Sequence, residues 1–227
     1  MKQRIIYVCV LLVSMAMFSC SQDEEVYSCD KEVDTWVKEN LDDIRHMDRS
    51  KWLELDERVS RAVYIAFAPE QKQIFWQQKI QEVLSLNWNE SEKEHIVAFY
   101  ETVKSNPDWF DLDTSIREKC FEDFELFKYR WTEYAKEELG WTLSQIASIA
   151  YTGNKMIDES GKIQFKNNGL RLKSDSEVDC DCNWTTNICG LYYQACGRNG
   201  QGGVNCREKS PGCGFLLRDE CNGLCTR

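Results

Sequence analysis

The chain has 227 residues, 42% hydrophobic and 29% charged, a globular balance that excludes intrinsic disorder and fits one ordinary domain plus a small one. Its net charge of -10 is dispersed, with no block of Lys or Arg to follow a phosphate backbone, which argues against nucleic acid as a partner.

Lys2 and Arg4 precede an uncharged, mostly apolar run from Ile5 to Phe18. That run falls short of the about 20 apolar residues a membrane span needs, so residues 1–19 read as a signal peptide. The run ends in Met17-Phe18-Ser19-Cys20, which resembles a lipobox with Met in place of the usual Leu. The resemblance makes Cys20 the lipidated, palmitate-bearing N-terminus of the mature chain, holding it to a membrane. Residues 20–29 then read as an acidic tether. Its run Ser21-Gln22-Asp23-Glu24-Glu25 resembles the surface-export signal of lipoproteins in some Gram-negative anaerobes. The location this implies is the outer membrane, lipid-anchored and facing the cell exterior.

Residues 30–151 carry the marks of amphipathic helices. Val33, Trp36, Val37, Leu41 and Ile44 fall at helical spacing behind a candidate cap at Asp30. A second stripe holds Val59, Ala62, Val63, Ala66 and Phe67, and Pro69-Glu70 suits the first turn of a third helix bearing Ile74, Phe75, Ile80, Val83 and Leu84. Ser91-x-x-Glu94 has the pattern of a capping box ahead of Ile96, Phe99, Tyr100 and Val103. After Pro107, Asp113 or Thr114 is expected to start the longest helix, with Ile116, Cys120, Phe124, Phe127, Trp131, Tyr134 and Leu139 on one face. Gly140 ends it, and Leu143 to Ala150 forms a short last helix. Residues 152–179 read as a small hairpin turning at Gly161, followed by a polar linker.

Residues 180–227 hold eight of the chain's twelve cysteines and eight of its twelve glycines. So small and apolar-poor a unit buries too little surface to offset its chain entropy, and disulfides are the ordinary remedy in an exported protein. Cys180, Cys182, Cys189, Cys196, Cys206, Cys213, Cys221 and Cys225 are all expected to be bridged. Cys180 and Cys182 are too close to bridge each other and should staple different partners. Cys29 and Cys120 are the remaining thiols of the mature chain, and a bridge between them is the expected pairing. Zinc is the competing use of such thiolates, but no His follows His95 and the paired Cys-x-x-Cys knuckles of zinc ribbons are missing, so neither metal nor cofactor is expected. The fold class is therefore mainly α: an irregular helical bundle followed by a small disulfide-rich C-terminal domain.

Catalytic constellations are absent from the sequence, which does not read as an enzyme. His46 and His95 look like solvated helix residues, and no Ser sits in a Gly-x-Ser-x-Gly turn. Asp111-x-Asp113-x-Ser115 lacks the Gly that a calcium loop needs at its sixth position, occupied here by Ile116. Seven of the eight tryptophans lie in the helical part, where core packing explains them. Trp184 in the cystine-rich part is different: with Tyr192 and Tyr193 it forms the candidate partner-binding anchors.

The tail order Cys180-Asp181-Cys182, Cys189, Cys196, Cys206, Pro211-Gly212-Cys213-Gly214 and Cys221-Asn222-Gly223 resembles fulvocin C, a small cystine-rich bacteriocin. The whole chain resembles the bacteriocin fulvocin C-related lipoproteins, with a helical region before such a tail. That resemblance implies a role in antagonism between bacteria, with the cystine-rich domain as effector or as a mimic of one; on the first reading the helical part is its carrier or stalk. The alternative is a non-toxic surface module that recognises a glycan, peptide or protein partner.

Overall fold

The computed structural model describes residues 25–111, 113–164, 178–183 and 195–226. Cys20, Trp184, Cys189, Tyr192 and Tyr193 therefore lie outside the described residues. The architecture is mainly helical, with nine α-helices among the described residues followed by two short β-pairs and three described disulfides. None of the described helices is long and apolar enough to cross a membrane.

Side-chain caps set most helix starts. α1 (Lys31–Glu39) begins at Asp30, whose carboxylate accepts from the Glu32 and Val33 amides. The expected first helix does not run on to Ile44. Asn40 leaves helical geometry and donates its side-chain amide to the Trp36 carbonyl at 2.7 Å, so α2 (Leu41–Arg45) is a separate element. α3 (Arg49–Glu54), capped by Asp48, is too short to declare itself by periodicity. α4 (Glu57–Ala66) is capped by Asp56, and α5 (Pro69–Leu84) opens on its proline.

α6 (Glu90–Ser105) has its capping box two residues earlier than Ser91-x-x-Glu94. Asn89 Oδ1 accepts from the Glu92 amide at 3.0 Å, and Glu92 Oε2 accepts from the Asn89 amide at 2.9 Å. Asn serves here as well as Ser because only a side-chain acceptor is needed. A 3-10 turn (Pro107–Phe110) follows, and then the expected longest helix appears as two. α7 (Thr114–Lys119) and α8 (Phe121–Glu137) are separated by the non-helical backbone of Cys120. α9 (Leu143–Ala150) starts with a Thr142–Gln145 capping box.

The helices close over one aromatic-rich core. Trp52, Trp76, Trp88, Trp109, Trp131 and Trp141 are all buried in it, while Trp36 stays 38% exposed. His95 is not the solvated residue its sequence neighbours suggest. Its ring stacks on Trp131 at 5.0 Å and on Tyr134 at 4.9 Å, and burial holds its pKa below the usual histidine value.

Three cations are buried in the body, and two of them, Arg49 and Lys79, pin the turn after α9. Arg49 forms two hydrogen bonds to the Glu82 carboxylate, at 2.8 and 3.2 Å, and donates to Gly153 O at 2.9 Å. Lys79 Nζ donates to Asn154 O at 2.5 Å, and Lys72 Nζ to Ile65 O at 3.3 Å. Burial, with repulsion from Arg49, pulls Lys79 from 10.5 down to about 7. Burial likewise brings Lys72 to about 8. Between the folded and unfolded values the unfolded chain carries the extra proton, so stability rises with pH across that interval. The urea midpoint is expected to climb from about pH 7 to about pH 9.5, and Lys79→Met to flatten much of the climb. A midpoint that falls over this range in the wild type would contradict it.

The hairpin pairs Met156 with Ile163, and Gly161 takes φ +90 in its turn. Toward the C-terminus, β1 (Ala195–Arg198) pairs antiparallel with β4 (Gly223–Thr226), and β2 (Lys209–Cys213) with β3 (Asp219–Cys221).

Candidate functional site

The disulfide-knit region is the feature of this chain on which a functional reading can be built. Cys180 is bonded to Cys206, Cys182 to Cys196 and Cys213 to Cys221, and Cys225 is disulfide-bonded as well. Cys180 and Cys182 thus take different partners. The Cys182 backbone also pairs antiparallel with Gly223, and its carbonyl accepts from the Asn222 and Gly223 amides, both at 3.0 Å. Gly223, of the Cys-Asn-Gly element, is required by this closeness. A Cβ there would lie 2.5 Å from Gly197 O and 2.7 Å from Cys196 Sγ.

Cys29 and Cys120 are not bridged to each other, contrary to expectation. Each is held elsewhere by long-range contacts. The Cys29 amide donates to Asp179 Oδ1 at 3.0 Å, beside Ser28 Oγ, which donates to Asp179 Oδ2 at 2.7 Å. Cys120 Sγ faces the Asp108 and Arg117 carbonyls and the Arg218 guanidinium. Cys120 is half-buried, and Arg218 faces it from nearly a hundred positions away.

One turn of the cystine-rich region is seated in the helical core, while four of its cysteines form a small buried cluster of their own. Between β2 and β3, a 3-10 turn (Phe215–Leu217) drives Phe215 and Leu216 to full burial. The Phe215 ring lies 5.3 Å from Tyr151, 5.5 Å from Phe99 and 5.7 Å from Trp131. Tyr64, accepting from Trp76 Nε1 at 3.0 Å, donates its hydroxyl to Leu216 O at 3.2 Å. Arg117 Nη2 donates to Arg218 O at 3.1 Å, and Arg61 Nη1 to Asp181 O at 3.0 Å.

The plug strains the backbone that carries it. Leu216 and Leu217 adopt φ of +54 and +53, a left-handed conformation that L side chains take only when packing imposes it. Gly214 at φ +72 makes the entry possible, since a Cβ there would collide with the Asp219 carboxylate. Gly214→Ala is therefore expected to cost more than the about 1–2 kcal/mol of the left-handed conformation alone. Its thermal midpoint should fall by several degrees in a melting experiment, and an unchanged midpoint would be the contrary result. Asp219 is largely buried here, and burial raises its pKa.

Asp181, Cys182 and Cys225 bring ligand-type atoms within 4.8 Å of one another, but both sulfurs are in disulfides and offer no thiolate. Asp181 is in any case committed, accepting from the Cys225 amide at 2.7 Å. Asp111 and Asp113 serve as turn and helix-cap acceptors. Sequence reasoning passed over the buried lysines, although Lys72, Trp76, Lys79 and Val83 share one helical face and that stripe was the available signal.

In comparisons with known proteins, no family model, no curated protein and no solved structure matches this chain.

Proposed function

We propose that this chain is an exported, lipid-anchored envelope protein whose cystine-rich region works in place, fixed to its helical body, in interbacterial antagonism. The observation that carries the reading is the burial of Phe215 and Leu216 in the helical core. A tail destined for release as a free peptide would have to withdraw a buried aromatic and leave a large cavity behind. Multiple disulfides in so small a segment support an oxidising compartment. The lipobox-like Met17–Cys20 segment and the acidic run after it support a lipid anchor and an outer-membrane placement.

The strap from Ser28 and Cys29 to Asp179 bears on how the region would be presented. Only eight residue steps separate Cys20 from Ser28, and a fully extended chain covers at most about 3.6 Å per step. A lipid on Cys20 then keeps Asp179, where the cystine-rich region begins, within about 35 Å of the bilayer. This disfavours a stalk with the effector at its far tip and favours action close to the producing cell's own surface.

The same fixed attachment suits the second reading, a non-toxic module that binds a glycan, peptide or protein through Trp184, Tyr192 and Tyr193. Contact competition separates the two. Cells displaying the wild-type chain are expected to outgrow a sensitive neighbour, and to lose that advantage with Cys20→Ala. No advantage against a broad panel, together with ligand binding that falls on Trp184→Ala, Tyr192→Ala or Tyr193→Ala, would replace antagonism with recognition. Neither effect would overturn both.

A further inference from the structure

The turn that enters the helical core is the tip of a covalently closed loop. Cys213 is bonded to Cys221 and pairs with Asp219 across the β2–β3 ladder, which pinches the neck, while Phe215, Leu216 and Leu217 form the tip. At the neck the Asp219 side chain folds back over Gly214, and its carboxylate accepts from the Phe215 amide. A titratable charge therefore lies against the residue that fills the core. Little around it balances that charge. Glu125 and Lys128 act on it from α8, but Lys128 Nζ is paired with Glu125 at 2.6 Å. The Arg218 guanidinium is engaged by the Phe124 ring, 3.8 Å from its centroid, and Arg117 of α7 donates to the Arg218 carbonyl. Tyr151, at the end of α9, and Tyr64 of α4, bonded to the Leu216 carbonyl, contribute neutral side chains. Among the described residues Asp219 forms no ion pair.

We infer that this loop is a pH-sensitive latch: the cystine-rich region is seated most tightly when the Asp219 carboxyl is neutral, and its seat loosens as that group ionises. The latch regulates the region proposed above to work in place, and it rests on that reading for its purpose. Its direction follows from the surroundings. Burial raises the Asp219 pKa, and Glu125 adds to the rise, against Lys128, the Phe215 amide and Arg218. Withdrawal of the turn returns the carboxyl to water and to its ordinary value. The stabilisation is thus fully present below the ordinary carboxylate value and is lost as pH rises through the seated one. Backbone strain works in the same direction. Leu216 and Leu217 hold left-handed φ only while the tip is packed, so weakening at the neck favours opening. The Cys213–Cys221 bond stays closed throughout, and what opens is the seat of the tip on the helices.

The test is native-state hydrogen exchange on the purified full chain with its tail disulfides intact, from about pH 4 to about pH 7. The reporters are the Leu217 and Arg218 amides, which donate to Gly214 O and Phe215 O, and amides in the middle of α5 report global opening. After correction for intrinsic exchange rates, protection at the reporters is expected to fall as pH rises, while the α5 reference does not follow. Asp219→Asn, isosteric with the neutral acid, is expected to lose that fall. Glu125→Gln removes a like charge and should move the fall to lower pH, a displacement that a merely structural role for Glu125 would not produce. Protection independent of pH in the wild type, or the same fall in Asp219→Asn, would overturn the inference. No antagonism is assayed, so failure here leaves the proposed function standing, and a failed contact competition leaves the latch standing.

Discussion

Phe215→Ala is expected to lower the unfolding free energy by about 3–5 kcal/mol, the range for deleting a fully buried aromatic ring. The ring is 0% exposed and ringed by Phe99, Phe124, Phe127, Trp131 and Tyr151. Little of that cavity can collapse, since its walls belong to helices already packed on other partners. The same deletion removes what holds Leu216 and Leu217 at positive φ, a conformation costing about 1–2 kcal/mol per residue. The turn should relax and the cystine-rich region loosen from the body with its own disulfides intact. A lower denaturant midpoint with a shallower slope, together with new protease cleavage near the turn, is the expected pattern. Phe121→Ala is the control: that ring is 59% exposed, and the change should stay within about 0.5 kcal/mol. Equal, small effects from both variants would mean that the tail does not share the helical core.

Removal of the Cys180–Cys206 bridge as the pair Cys180→Ala with Cys206→Ala is expected to cost about 3–4 kcal/mol. The sequence separation is 26 residues, and closing a loop of that length in the unfolded chain accounts for a cost of that size. The Cys213–Cys221 bridge spans only 8 residues, and its removal should cost about 2–3 kcal/mol. The longer bridge has a second consequence. Cys180 follows Asp179, the residue that receives Ser28 and Cys29, so its loss should also raise hydrogen exchange at residues 27–30. Thermal unfolding of the two double variants, with hydrogen exchange on the first, checks both statements. An N-terminal strap unaffected by loss of Cys180–Cys206 would separate the strap from the disulfide framework.

Local features of this fold were readable from the sequence because local chemistry decides them. Asp30 caps α1, Pro69 opens α5 and Gly161 turns the hairpin, each within a few residues of the feature that announces it. The misreadings share one physical cause. Asn40 and Cys120 break helices whose apolar stripes continue without interruption, because the stripe reports the core and not the backbone. Asn89 displaced Ser91 as the cap because several acceptor-bearing residues lie within one turn, and only the observed register brings Glu92 back to the cap amide.

Long-range contacts were the larger loss. Nothing local to Phe215 says that it enters a core built mainly from residues 33–150, and nothing near Cys120 says that Arg218 will face it. His95 looked solvated because its sequence neighbours are charged, while the aromatic stack around it comes from α8 and the loop after it. The cysteine-dense tail was recognisable from composition alone, but its attachment to the helices was not.

The most direct test of the account is intact mass spectrometry of the full chain extracted from its native membrane, before and after reduction and alkylation. The expected result is one species beginning at a lipidated Cys20 and ending at Arg227, with the eight tail cysteines alkylated only after reduction. An unlipidated chain, a separate small species containing the tail, or tail thiols open to alkylation without reductant would contradict an anchored protein that keeps its cystine-rich region in place.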